Sequence, residues 1–296
     1  MEHLWILFVI IGQFLNAIVV LLDKYIVTKT VSKPVVYTFY VSMLSATALI
    51  VLPFGGVKIP SLVVIWLSLS SALSYIISIL SLYESLKTSD PSEVTPVVGA
   101  VSAISTFSFS YVILGDLLPN DFFWGFGLLI LGMLLISHFQ LTWRSFGYLL
   151  FSGISFGLSI VLIKAIFVYD NSFVNGFFWS RMAIALAGFA LLVWPGLIGD
   201  IKEDMGHGKS KGKLIILANK ALAGVSFLCI LLAVKLGHVA LVNALASLQY
   251  VFLLIFAVIF SKRMGGYLFE KRHRGETFHK IFATGIIILG FIILFT

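Results

Sequence analysis

The sequence has a single cysteine and few charges, and each scarcity narrows what the chain can be. Cys229 alone excludes an internal disulfide and any multi-cysteine metal site; it reads as a small apolar residue on a lipid-embedded helix. Charged residues make up 11% of the 296 positions and hydrophobic ones 60%, whereas a soluble domain is roughly one quarter charged. A core of ordinary size cannot hide that much apolar surface from water. The expectation is an all-helical integral membrane protein. Its net charge of +7 does not point to nucleic acid, because the basic residues sit between hydrophobic runs, where they set membrane orientation. No GxxxxGK[ST] loop is present, so neither ATP-driven transport by this chain alone nor any cofactor is expected.

Proline is scarce where apolar residues are dense. Pro34, Pro53, Pro60, Pro91, Pro119 and Pro195 fall between hydrophobic runs, where a missing N–H costs nothing. Only Pro96 lies inside one. There it frees a backbone carbonyl that neighbouring helices or a water-lined cavity must satisfy, which makes it a candidate kink or gating position.

What is present is a set of ten apolar runs: about 4–22, 35–52, 62–83, 94–114, 122–137, 146–168, 174–194, 213–234, 239–260 and 280–295. A helix needs roughly 20 mostly apolar residues to span the hydrocarbon, and barrel strands would be shorter and alternating. The opening "MEHLWILFVIIGQFLNAIVVLL" lacks a basic start and a cleavage site, and reads as an uncleaved first helix. Between the runs lie basic segments. "DIKEDMGHGKSKGK" reads as a flexible loop, and "SKRMGGYLFEKRHRGETFHK" is another stretch too short to be a domain.

The halves repeat. "LILGMLLI" closes the fifth run and "IILGFIIL" the tenth, with Gly132 against Gly290 and Gly127 against Gly285. "LLDKYIVTKTVSKPVVYTFYVSM" is similar to "VLIKAIFVYDNSFVNGFFWSRM", setting Lys24 against Lys164 and Met43 against Met182. Runs 1, 2 and 5 thus have counterparts in 6, 7 and 10. Each half holds five helices, an odd number, so the second enters the membrane from the opposite side. The reading is ten transmembrane helices as two inverted five-helix repeats, 1–137 and 146–296, a design that places a substrate path between the halves.

These features resemble the drug/metabolite transporter superfamily in its ten-helix EamA-type branch, over nearly the whole chain. The two five-helix halves carry the resemblance, with "SLKTSDPSEVTPVV" at the junction of runs 3 and 4 and the glycine helix that ends each half. "VILGDLLP" matches where the family usually has Leu-Gly-Glu, with Asp116 replacing the glutamate. Arg181 stands where the second copy of the family's helix-2 arginine would be, while the first half has Ser42 there. The resemblance implies a carrier of amino acids, related metabolites or drugs that works without ATP, and it does not identify the cargo.

Ionisable side chains inside a bilayer are costly and therefore informative. Of the basic residues, only Arg181 in run 7 and Lys220 in run 8 lie well within a run, on the order of 10 Å from its start. Both are candidate substrate-binding residues; snorkelling to the interface is the alternative. No acidic residue is expected to be deep. Glu84, Asp90 and Glu93 cluster at the junction of runs 3 and 4, with Glu84 and Glu93 as candidates for proton coupling or as ordinary interfacial charges. A carrier of organic cations would be expected to place a carboxylate in its path, so a substrate with an anionic group is favoured. Asn16, Tyr40, Tyr75, Trp179, Asn219, Asn243, Gln249 and Tyr250 are polar candidates for lining a cavity, or for holding helices together.

Two motif matches carry no catalytic reading. "GISFG" at 153–157 fits a hydrolase elbow, but it sits in an apolar run, where small residues four apart serve close helix packing. The aspartates of "YD" at 169–170 and "GD" at 115–116 sit at run ends, not deep.

The expectation is a non-enzymatic secondary transporter of amino acids or organic anions, multi-pass in the cell (plasma) membrane, with small-molecule and lipid partners. A multidrug exporter of organic cations and a polytopic membrane enzyme or scaffold are the alternatives. Fifteen basic residues follow odd-numbered runs, against Lys58, Lys164 and Lys235 on the other side. The positive-inside rule then puts both termini outside the cytoplasm, whereas the family resemblance implies both inside.

Overall fold

The structure, a computed structural model, describes residues 4–29, 33–89, 91–116, 122–136, 143–207, 210–253, 255–256 and 274–295. Pro119, Asp90 and most of the basic segment 261–280 fall outside the described residues or have no described side chain. Among the described residues there is no strand. The described residues form the helices α1 (Leu4–Lys29), α2 (Pro34–Leu44), α3 (Leu62–Thr88), α4 (Pro91–Leu114), α5 (Phe122–Ile136), α6 (Trp143–Asp170), α7 (Phe173–Ala190), α8 (Leu197–His207), α9 (Ser210–Leu236), α10 (Val239–Leu253) and α11 (Arg274–Phe295).

Their starts follow from the residues. The Ser61 hydroxyl accepts from the Val64 N–H to cap α3, and the Ser172 hydroxyl accepts from the Asn175 N–H to cap α7. Pro34 opens α2 and Pro91 opens α4, where the missing N–H has no helical partner to lose. Past the end of α4, Gly115 takes φ +65°, a conformation an L side chain resists.

Among the described residues, seven helical segments are long and apolar enough to cross a membrane: Leu4–Thr28, Pro34–Phe54, Leu62–Lys87, Glu93–Leu114, Ser145–Asp170, Phe173–Val193 and Leu214–Leu236. Three shorter apolar helices, Phe122–Leu135, Val239–Leu253 and Phe282–Ile293, fall on the other three expected runs. Large apolar side chains stand outward on the long helices, among them Leu7, Trp66, Leu73, Val112, Phe151 and Leu217. Water would not tolerate such a band on a monomer.

One loop expectation is corrected. Residues 200–207 of "DIKEDMGHGKSKGK" are helical, forming the end of α8, and α9 begins at Ser210. The cause is local amphipathicity: Leu197 is fully buried, and Ile201 four residues on packs on the same apolar cluster. Asp200 stands in the first turn, where the helix dipole favours a negative charge, and Lys33 bonds both its oxygens at 2.9 Å.

The helices pair in a definite pattern. α1 packs along α9 and α3 along α6; α5 packs on α11, α4 on α10 and α2 on α7. Gly153 and Gly157, the small residues of "GISFG", press α6 onto the backbone of α4 at Val98 and Ser102. Small residues there let two helices touch. α2 continues as a tighter 3-10 turn through Ser45–Phe54, and α7 ends likewise in Leu191–Val193. α10 contains a 3-10 break at Leu245–Ser247.

Candidate functional site

Between these pairs lies a cavity of about 590 Å³, bounded by residues of α1–α4, α6, α7, α9 and α10. Seven sequence candidates line it: Arg181, Lys220, Asn16, Tyr75, Asn243, Gln249 and Tyr250. They come from five helices, so only the tertiary packing brings them together.

Arg181 on α7 is the most exposed to consequence. Its guanidinium carbon sits 3.6 Å from the centre of the Phe227 ring and 5.9 Å from that of Phe177. Tyr75, whose ring packs edge-on near Phe227 at 6.4 Å, is its polar neighbour. Nη2 is buried with no hydrogen-bond partner among the described residues. A buried guanidinium nitrogen without a partner is costly, and an anionic group from outside the chain would satisfy it.

Lys220 on α9 differs. It is paired: Nζ lies 2.8 Å from Asp23 Oδ1, both side chains 8% exposed. The same Oδ1 accepts from the Tyr37 hydroxyl at 2.5 Å and from Asn219 Nδ2 at 2.7 Å. Lys220 also stands over the Tyr37 ring at 4.6 Å and reaches the Tyr83 hydroxyl at 3.4 Å. Asn219 serves this network and does not line the cavity.

Asp23 overturns the expectation that no acidic residue is deep. It is buried and lines the cavity. An apolar run counted from composition stops at Leu22, at the charged pair Asp23–Lys24. The helix does not stop there; α1 continues to Lys29, leaving Asp23 two turns inside it. The signal was in the sequence, as a charged pair followed by "YIV" in helical continuation.

The amides form the cavity's other polar groups. Asn16 Nδ2 donates to Gln249 Oε1 at 2.8 Å, joining α1 to α10. Asn243 Nδ2 donates to the hydroxyls of Ser102 at 2.7 Å and Thr106 at 2.5 Å, joining α10 to α4. Tyr250 donates to the Thr95 carbonyl at 2.5 Å, its hydroxyl resting on Gly99, where a Cβ would collide with it. Gln13, absent from the sequence candidates, also lines the cavity, with its buried Oε1 unpartnered among the described residues.

Other candidates lie elsewhere. Tyr40 packs beside Phe39, ring centres 6.0 Å apart, off the cavity. Trp179 donates Nε1–H to the Lys58 carbonyl at 3.0 Å and pins the α2–α3 loop to α7. Pro96 is buried on α4, off the lining, although its neighbours Thr95 and Val98 belong to it. Glu84 and Glu93 are half-buried at the α3–α4 junction, also off the cavity. Asp116 binds His238, Oδ1 to Nδ1 at 3.1 Å, tying the end of α4 to the α9–α10 turn.

No family model matches the chain, and no curated protein matches it. Solved structures do resemble it. One, a crystal structure, shares 16% identity and a TM-score of 0.62, covering 96% of this chain and 97% of that one. At that identity the likeness speaks for the fold alone. Fold and site together define a helical chain with, among the described residues, seven helices able to cross a membrane and between them a mostly apolar cavity set with a few polar and charged side chains.

Proposed function

We propose that the chain is a secondary transporter, in which two inverted five-helix halves alternate around the central cavity, and that it belongs with the EamA-type drug/metabolite carriers. Most of the strong helix pairings support a repeat of the two halves, and the odd number of spans in each half makes that repeat an inverted one. Matching the first five apolar runs to the last five exchanges the α1–α9 pair with the α3–α6 pair. The same operation maps the α5–α11, α4–α10 and α2–α7 contacts onto themselves. The three short apolar helices serve as the remaining spans, being the fifth member of each half and the broken α10.

The observation that carries the substrate class is Arg181, which lines the cavity and whose Nη2 is buried without a partner among the described residues. Arg181 is the cation there with no carboxylate beside it among the described residues, since Lys220 is already neutralised by Asp23. An organic anion or the carboxylate of an amino acid is the ligand that completes it, and Phe227 and Tyr75 offer apolar faces to the rest of the molecule. Asp23 gives the organic-cation exporter its one supporting observation, a carboxylate on the cavity wall. Flux of a panel of labelled amino acids, organic acids and organic cations into proteoliposomes holding the pure protein separates the two. Uptake confined to anionic or zwitterionic compounds supports the carrier of anions; uptake of cations alone replaces it with the exporter. Flux of none overturns transport of these classes.

A further inference from the structure

A second charged site, unlike Arg181 an ion pair formed within the chain, stands in the same cavity. We infer that Asp23 is a proton-binding site whose loading is coupled to anion binding at Arg181, so that anion and proton cross together. The inference rests on the transporter reading and deepens it.

The geometry sets up the coupling. Three donors converge on Oδ1: the Tyr37 hydroxyl, Asn219 Nδ2 and Lys220 Nζ. Oδ2 has no partner among the described residues, and Asp23 lies on the cavity wall. It is therefore the oxygen placed to take a proton. The titratable groups that face Asp23 are Tyr37 from α2, Tyr75 and Tyr83 from α3, and Lys220 from α9. On its own helix Lys24 turns away, bonding the Leu86 and Ser89 carbonyls at 2.9 Å. A buried ion pair is weak evidence for stability, since desolvation offsets its attraction. On the wall of a mostly apolar cavity between apolar helices such a pair is a candidate for function.

The sign of the coupling follows from charge. With Asp23 ionised, the Asp23–Lys220 pair is neutral and Arg181 leaves the cavity at +1. A proton from water, bound at Oδ2, makes the pair +1 while Lys220 keeps its own proton. In the empty cavity that added charge is repelled by Arg181 and Lys220. Once an anion occupies Arg181, the same proton meets a neutral cavity and binds more readily. Linkage makes the effect mutual: the proton strengthens anion binding by the same factor. Co-transport of anion and proton results. A cationic cargo would compete with the proton and give exchange instead.

The test uses the purified full chain in lipid. Infrared titration of wild type without substrate should show a protonated-carboxyl band on acidification that Asp23→Asn lacks. Proteoliposomes with acid outside should accumulate a labelled mixture of amino acids and small organic acids. In Asp23→Asn, accumulation should fall at least about tenfold, the size of an ordinary coupling energy. Isotope exchange at equal pH should remain above background, because Asn mimics the proton-loaded site. Should the single variant misfold, Asp23→Asn with Lys220→Gln replaces a neutral pair by a neutral pair. Undiminished accumulation in the variant overturns the inference, as does an unchanged carboxyl band. If wild type neither accumulates nor exchanges these compounds, it is the transport of this class that fails, and the infrared titration still decides whether Asp23 takes a proton.

Discussion

Lys24 and Lys164 do the same thing in opposite halves of the molecule. Lys24 Nζ, near the end of α1, donates to the Leu86 and Ser89 carbonyls at the C-terminus of α3. Lys164 Nζ, near the end of α6, donates to Val234, Lys235 and Gly237 carbonyls at 2.8, 3.2 and 3.0 Å, at the C-terminus of α9. The last carbonyls of a helix lack helical partners and carry its negative dipole end, so an ammonium satisfies both needs at once. These two lysines are the pair that the internal sequence match aligns.

Lys24→Met and Lys164→Met should each destabilise the protein by about 1–3 kcal/mol, the cost of leaving buried acceptors unmade. The two sites share no partner, so the double variant should lose close to the sum. Thermal unfolding of the purified protein in detergent measures both. A double variant no worse than either single one would show that the caps are not independent.

Gly132→Leu and Gly290→Leu should disrupt the contact of α5 with α11. A Cβ at Gly132 would lie 2.5 Å from Ile287 Cγ1 and 3.2 Å from the Ala283 carbonyl; one at Gly290 would meet Leu128, Leu129 and the Gly125 carbonyl at 3.0–3.1 Å. The contacts are reciprocal, 283 and 287 standing to Gly132 as 125 and 129 stand to Gly290. Overpacking of this kind costs about 1–3 kcal/mol. Gly127→Ala and Gly285→Ala meet open space and should be tolerated. The monodisperse fraction in size-exclusion chromatography distinguishes the two pairs.

Arg181→Leu should abolish transport while the protein remains folded, since it removes a cation that no carboxylate among the described residues neutralises. Arg181→Lys should recover only part of the flux, because an ammonium lacks the planar fork that binds a carboxylate at two points. Normal flux through Arg181→Leu would falsify the assignment.

A reporter active only outside the cytoplasm, fused after Thr296, should be active. Fifteen basic residues on one side against three on the other set that expectation. A silent reporter, with a cytoplasmic one active at the same point, reverses the orientation to that implied by the family resemblance.

Helical content was legible in the sequence because an apolar run is a local property. Each of the ten expected runs carries an apolar helix, and Pro34 and Pro91 mark starts where the fixed φ of proline suits a first turn. Arg181, Asn16, Gln249 and Asn243 could be singled out because polar groups in apolar runs are costly wherever they point. Tyr40 and Trp179 met the same criterion and lie off the cavity, since helix rotation is set by packing with neighbours.

The sequence by itself determined the all-helical architecture, the apolar band and the pairing of Lys24 with Lys164 and Gly132 with Gly290, since each depends on residue type and spacing along the chain. Only the tertiary structure decided that Asp23 neutralises Lys220 while no carboxylate among the described residues stands beside Arg181. Asp23 and Lys220 are 197 positions apart, and a charge is quenched by what is close in space. The packing of α1 on α9 brings the carboxylate to the ammonium, while α7 presents its guanidinium to aromatic rings and an open cavity.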